Sequence, residues 1–467
     1  MKIAAVDNPV RVSWLAGQGS RLDAGPYVSA TYAARHYLSR LPRTEPLSRV
    51  TERIFHAGRV KRQWTADPER GVPFLGSADI FEADLSYLPM ITKRAFAENS
   101  RLSLEPGWTL VTRSGMTAGR VTYARISMRG SACSEHVMRV VPDRDRIRAG
   151  YLYTFLASRF GIPIIKGGIY GTSVRHIEPE HIADLPVPRL GDLIEERIDT
   201  LISQAMQLRQ QYEDGVAAAT RDLFETAGIP ELLDLRWHSL PRDLGFSARP
   251  TPLTLRALNF SPRARHLHDK LAGLAHRTLG EICRGGYLGS GVRFRRIDSD
   301  PEQGVRLIGQ RQGFWMRPEG RWINPHLAPP GIHAVDETVL VAAQGTLGES
   351  EVFCRSLLVT GDWLKNVYTQ HFLRVVSGDS GFPGAYLFAL LRSEVAFRLF
   401  RSMSVGSKQQ DLHPDLRAAL PVPECTPVDR KRIAETVRRA YRDRDAADQS
   451  EDEAFAVLDG AVREAAG

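Results

Sequence analysis

The sequence is sparing with the residues that build metal centres and disulfide frameworks. Its 467 residues include only four cysteines, Cys133, Cys283, Cys354 and Cys425, widely scattered and without a CxxC pair. That spacing excludes a clustered-cysteine zinc site and a disulfide scaffold, and it reads as isolated buried thiols. Long apolar runs are missing too. None approaches the roughly twenty residues of a membrane span, and Met1 to Ala30 has no uninterrupted apolar segment of signal-peptide type. A cytoplasmic protein with no membrane partner is the expectation. There is no G-x-x-x-x-G-K-[ST] phosphate loop, so no ATP motor is expected. No catalytic residue and no metal ligand set can be named.

What remains is ordinary for a soluble globular protein, at 43% hydrophobic and 25% charged residues. The length suits two to four domains. The net charge of +8 and pI near 9.4 are compatible with a nucleic-acid partner without demanding one.

Self-similarity organises the chain. His136-Val137-Met138-Arg139-Val140-Val141 returns as His371-Phe372-Leu373-Arg374-Val375-Val376. Tyr151-Leu152 returns as Tyr386-Leu387, and Leu185-Pro186-Val187-Pro188 as Leu420-Pro421-Val422-Pro423, all at one offset. Arg59-Val60-Lys61-Arg62 with Arg293-Phe294-Arg295-Arg296, and Ala34-Arg35-His36 with Ala264-Arg265-His266, extend the match with only small slips of register. Each copy is a globular part followed by one long helix.

The first long helix is expected from Asp192 to about Glu225. Ile194, Ile198, Leu201, Ala205, Leu208, Tyr212, Val216, Ala219 and Leu223 fall three and four residues apart and draw one apolar stripe. Asp192 caps the first turn with Glu195 three residues on, as in a capping box, while Gly228 and Pro230 supply the stop. A lone rod of about 50 Å with one narrow stripe needs a partner. Thr426-Pro427 opens that partner, whose stripe of Ile433, Val437, Ala440, Ala454, Val457, Leu458 and Ala461 is weaker. Between Arg442 and Glu453 it is nearly all charge or alanine, and a looser or broken helix is expected there.

Within the globular parts, strands are expected at Thr109 to Thr112 and Val339 to Ala342. Helices follow at about Gly150 to Phe160 and Ala385 to Phe400, with shorter ones at Tyr32 to Leu41, Ser261 to Ala275, Pro179 to Asp184 and Pro414 to Ala419. The proline-rich stretch from Gly228 to Pro262 reads as a linker. The fold class is α/β (α+β), duplicated, with two long helices packed as an antiparallel coiled coil in a pseudo-twofold dumbbell. The expected bounds are 1–190 and 263–425 for the globular parts, 191–228 and 426–467 for the helices, and 229–262 for the linker.

This order, with Gly71-Val72-Pro73-Phe74-Leu75, Gly171-Thr172-Ser173 and the Leu-Pro-Val-Pro passage into each long helix, resembles the specificity subunit (S subunit) of type I restriction-modification systems. It equally resembles the specificity subunit of a related phage-defence methylation system. The resemblance covers essentially the whole chain. It implies that each globular part is a target-recognition domain reading one half of a split DNA sequence. It further implies that two copies of an adenine-DNA methyltransferase dock on the helical spacer, with a motor-nuclease restriction subunit as a further partner. On that reading the chain binds double-stranded DNA, is not itself an enzyme and holds no cofactor. S-adenosylmethionine would sit on the partner methyltransferase. Asp7-Asn8-Pro9-Val10 and Asn324-Pro325-His326 only faintly resemble the base-flipping motif of adenine methyltransferases, and no glycine-rich cofactor turn accompanies either.

Three clusters are the candidate DNA contacts. Arg59, Lys61 and Arg62, with Arg293, Arg295 and Arg296, are cations that a strand would place for phosphate neutralisation, or that simply decorate a solvated edge. The glycine loop with Arg113, Ser114, Thr117 and Arg120, echoed by Gln344 and Thr346, either approaches a groove or is a plain hairpin turn. Tyr170, Gly171, Thr172, Ser173 and Arg175, matched by Gly406, Ser407, Lys408, Gln409 and Gln410, combine hydroxyls, cations and amides at a turn. There Gln409 and Gln410 could read adenine, and Arg175 or Lys408 guanine. The two copies differ most here, as two half-sites require. His36, His136, His266 and His371 lack ligand spacing, and Trp108, Trp315 and Trp322 read first as packing residues. Two other functions stay open, a stand-alone DNA endonuclease with two recognition domains and a non-DNA-binding scaffold built on the long helices.

Overall fold

A computed structural model describes residues 30–115, 117–170 and 175–466, with Val12 and Leu15. The chain divides into two compact units, Met1–Gln210 with Ala446–Gly467, and Gln211–Asp445. Each mixes helix and sheet.

In the first unit the chain runs α1 (Ala30–Leu38), β1 (Thr44–Pro46), β2 (Thr51–Phe55), β3 (Thr109–Thr112), β4 (Val121–Tyr123), β5 (Val137–Pro142), α2 (Ala149–Ala157), α3 (Gly161–Gly167) and β6 (Pro186–Pro188). The main sheet has the order β2-β5-β3-β4, antiparallel throughout. Its central strand β5 is buried at every position, so it reads as a continuous apolar run rather than an alternating one. The one intruder is Arg139. Its guanidinium donates to the carbonyls of Ser134, Val137, Leu102 and Cys133, which offsets part of the cost of burying the charge and pins the surrounding loops. Val111, Tyr123, Met138 and Val140 share one core with Leu152, Phe155 and Leu156 of α2 and with Ala454, Leu458 and Val462.

The second unit runs α4 (the long helix Asp192–Thr226, whose last part lies here), α5 (Pro262–Ala272), β7 (His276–Thr278), β8 (Tyr287–Ser290), β9 (Thr338–Ala342), β10 (Ser356–Val359), β11 (Phe372–Val376), α6 (Gly384–Leu391), α7 (Glu394–Ser402), β12 (Pro421–Pro423) and α8 (Pro427–Ala466). Its main sheet has the order β8-β11-β9-β10. Arg374 on β11 repeats the behaviour of Arg139, donating to the carbonyls of Gly331, His333 and Ile332. The Leu-Pro-Val-Pro segments are short strands in both units, β6 against β1 and β12 against β7. Their last carbonyls accept from Tyr151 and Tyr386 respectively.

Several local expectations change. The helix expected at Gly150 to Phe160 ends at Ala157 and a second one follows it, and the helix expected at Ala385 to Phe400 is split in two. Ser158 is extended and its hydroxyl accepts from the Phe160 and Gly161 N–H groups, while Ser393 accepts from Ala396, so a serine cap restarts the helix in both units. Asp192 does not form the capping box. Glu195 instead reaches back to the Leu190 N–H and to Arg189. Thr426 does cap α8 through the Asp429 N–H.

The middle of α8 is a continuous helix, in contrast to the looser or broken one expected, because two of its charged residues, Arg444 and Glu451, are buried against the body of each unit. In the first unit Glu451, 1% exposed, accepts from Tyr153 and Arg209, and Arg209 also reaches Asp448 at 3.1 Å. In the second, Arg444 is fully buried with its guanidinium 3.9 Å from the Trp363 ring centre. Tyr212 packs edge-on against Tyr441, Arg432 bridges Asp222 at 2.6 Å, and Gly215 lets α4 approach Ala440. All four cysteines are free and buried. No helix among the described residues is long and apolar enough to cross a membrane.

Candidate nucleic-acid interface

In the first unit the three sequence clusters meet at one end of the main sheet. The loop after β3 and the segment after α3 are tied together by backbone pairs, the Gly115 N–H donating to the Arg175 carbonyl and the Ile177 N–H to the Arg113 carbonyl. Glu178 is the hub. Its carboxylate accepts from Arg113 and Tyr170 and lies 3.3 Å from His56 Nε2. Next to it, just before β5, Glu135 takes Arg62 at 3.0 Å, and His136 Nδ1 sits 2.6 Å from the Ser114 hydroxyl. Arg62 also stacks over Phe74, against which the half-exposed Trp64 packs edge-on.

The second unit builds the same junction from amides. Gln410 exchanges both backbone hydrogen bonds with Gly345, joining the segment after α7 to the loop after β9. Gln344 binds His371 through its Oε1 and Asp411 through its Nε2, and Gln409 reaches the same Oε1 at 3.5 Å. Arg296 donates to Gln370 at 2.9 Å.

These networks sort the predicted contacts. Arg59 and Lys61 are exposed with no ion-pair partner among the described residues, as are Arg293 and Arg295. Neither cluster lies on a strand, in contrast to the expectation that a strand would place these cations. β2 ends at Phe55, Gly58 turns the chain with φ +72, and residues 291–297 are irregular. Arg62 and Arg296 are held by their partners. Arg113 and Ser114 are buried, at 8% exposure each, and belong to the scaffold of the loop rather than its outer face. Thr117 is half-buried and its carbonyl accepts from Thr112; Arg120 is half-buried. The β3–β4 connection is a hairpin. Tyr170 is 42% exposed and Arg175 exposed, while Gly171, Thr172 and Ser173 lie outside the described residues. Thr346, Ser407, Lys408 and Gln409 are exposed, and Gly406 makes the turn with φ +99. Gln410 is 3% exposed with its side-chain N–H donating to the Ser407 carbonyl, so it cannot present its amide to a base edge as expected. Trp315 is buried, Trp108 packs on Phe55 and Trp322 lies beneath Arg306.

Residues that sequence reasoning passed over carry much of the junction: His56, Glu135, Glu178, Gln370, Asp411 and Trp64. Glu135 and Gln370 stand immediately before the repeated His136 and His371, a position that could have been singled out. Burial, with the Arg113 guanidinium, lowers the His56 pKa, and burial with Arg296 and Arg293 does the same to His371. Burial opposes ionisation of Glu135, but backbone hydrogen bonding and Arg62 prevail and hold its carboxyl below the usual range. The outward groups are cations, hydroxyls, an amide and aromatic rings, the set that meets phosphates and base edges. No cluster of His, Cys, Asp and Glu suited to a metal ion occurs among the described residues.

No protein family and no curated protein matches the sequence. Solved structures that overlap it loosely include the type I restriction-modification system S subunit from M. genitalium, at TM-score 0.32 and 12% identity over 91% of this chain and 95% of that one. The HsdS subunit from Thermoanaerobacter tengcongensis overlaps at TM-score 0.27 and 12% identity over 91% and 97%. A structure describing complex assembly and conformational transition of the type I R-M system overlaps at 0.26 and 13% over 90% and 98%. Overlaps this loose assign nothing to the chain.

Proposed function

We propose that this chain is a DNA-specificity subunit in which each unit reads one half of a bipartite target in double-stranded DNA. The observation that carries the reading is the convergence, in each unit, of an exposed basic stretch, a glycine loop and the segment after the second helix (Tyr170 and Arg175 in the first unit, Gly406 to Gln410 in the second) at one end of a similar sheet scaffold, with different side chains in the two units. Exposed cations beside a hydroxyl-bearing and amide-bearing turn suit phosphate positioning and base readout together. The domain bounds 1–190, 191–228, 229–262, 263–425 and 426–467 belong to the same proposal. So do a duplicated origin for the units and an antiparallel pairing of the long helices as the spacer of a dumbbell. Partner adenine methyltransferase subunits, carrying S-adenosylmethionine, would dock on that spacer, and catalysis would be theirs.

The test is to express the chain with its neighbouring genes in a methylation-free host and map modified adenines across the genome. A split motif with a fixed gap, lost on deletion of this chain, is expected. Lys408→Ala with Gln409→Ala should relax one half of that motif and leave the other unchanged, since each lost base contact costs about 1–3 kcal/mol of discrimination. Equal relaxation of both halves would defeat the assignment of one reader to each half-site.

A further inference from the structure

The first turns of α2 and α6 hold the same place in the two units. Thr109 faces Val140 as Val339 faces Val375, so Gly107 and Glu337, both with positive φ, occupy one position just before these strands. Tyr151 and Tyr386, bonded alike to Pro188 and Pro423, align the helices. From that alignment Gly150 matches Ala385, Arg144 matches Asp379, and Ser203 on α4 matches Arg438 on α8.

In the second unit this place is filled from within. The Glu337 carboxylate accepts from the Ala385 N–H at 3.1 Å and from Arg438 Nε at 2.6 Å. In the first unit neither partner exists, because Gly107 has no side chain and Ser203 is short. Asp199 takes over the helix terminus, accepting from the Gly150 N–H at 2.7 Å. A cavity of about 330 Å³ is left, against about 190 Å³ in the corresponding region of the second unit. Arg144 and Arg148 stand at it, with Ile202 and Met206 on its apolar side. Arg144 has no ion-pair partner among the described residues, and the Arg148 contact with Glu196 is 3.6 Å long.

We propose that this cavity binds a small organic carboxylate with an apolar body. The carboxylate would take the two arginines, standing in for the internal Glu337 of the second unit, and the apolar body would cover the half-buried Met206. Arginine forks match carboxylates, yet exposed ion pairs alone are weak in water, so the apolar part is required for binding. The inference does not rest on the DNA-reading proposal.

The probe is 4-phenylbutyrate, titrated calorimetrically into the full chain in complex with whatever partners it requires. Its neutral amide and acetate serve as controls. Saturable one-to-one binding of the carboxylate is expected, weakened about tenfold or more for the amide and for acetate. The double variant Gly107→Glu with Ser203→Arg would rebuild the second unit's ion pair and close the cavity. A Cβ at Gly107 meets only Ala149 Cβ, at 3.8 Å, and the positive φ there is a conformation that Glu337 already adopts at the matching position. Should that variant fail to fold, the exposed pair Arg144→Gln with Arg148→Gln removes the charge and leaves the cavity. Loss of binding in either supports the site. No saturable binding, equal binding of the amide, or binding that survives both variants overturns it.

Discussion

The two units carry the same strand order and the same buried arginine at the same strand position, yet they close their loop ends with different chemistry. In the first, charge does it: Glu178 gathers Arg113, His56 and Tyr170, and Glu135 gathers Arg62. In the second, Gln344 and Gln370 take the histidine and arginine that charge would otherwise hold. A scaffold that tolerates both solutions separates the work of holding a loop from the work of choosing what it presents. The sheet and the tyrosine-to-proline bonds do the first, and the loop side chains are left to vary.

The largest expected effect tests the shared half of that comparison. Arg139→Ala and Arg374→Ala each strip donors from several buried carbonyls, at about 3 kcal/mol apiece. Urea denaturation of the full chain should show two losses of similar size. A gap wider than about 1 kcal/mol would mean that the two arginines do not hold equivalent scaffolds.

A smaller effect tests the unshared half. Glu178→Ala leaves the buried Arg113 without its carboxylate and should cost about 2 kcal/mol. Gln344→Ala loses only hydrogen bonds of an uncharged side chain and should cost about 1 kcal/mol. Added salt should narrow the difference, because only the first loss is one of charge pairing. Equal costs at low salt would show that the charged and amide junctions are not energetically distinct.

The long-range order of the chain was legible because repeated islands keep their spacing, and the long helices because apolar positions recur every three or four residues. What was not legible depended on partners far along the chain. The charge-rich middle of α8 looked fit only for solvent until Arg209 met Glu451 and Arg444 met Trp363. Arg113 looked free because a cation in a glycine loop gives no local sign that Glu178 and two backbone carbonyls will enclose it. Gln410 was misread for the same reason, since its burial follows from pairing with Gly345. The helix break at Ser158 and Ser393 had a local signal, a serine ahead of a new amphipathic turn, and the repeat places it identically in both units. The apolar run across it hid the signal.

The smallest effect is pH-dependent and again sets one unit against the other. His56 and His371 both have pKa values below the usual 6.5, by burial first and then by neighbouring arginines. A folded histidine that resists protonation makes the unfolded chain the better proton acceptor. The stabilisation is therefore fully present above pH 6.5 and drains away as the pH falls toward each folded pKa. The units differ in what opposes the arginines. Glu178 touches His56 at 3.3 Å, whereas His371 has only the more distant charge of Asp411, which is engaged by Gln344. Glu178→Gln should accordingly lower the His56 pKa further and steepen the acid loss of stability, while leaving His371 where it was. Imidazole titration by NMR in the full chain reads both at once, and a His56 pKa that stays or rises in the variant would mean that Glu178 does not set the charge state of that junction.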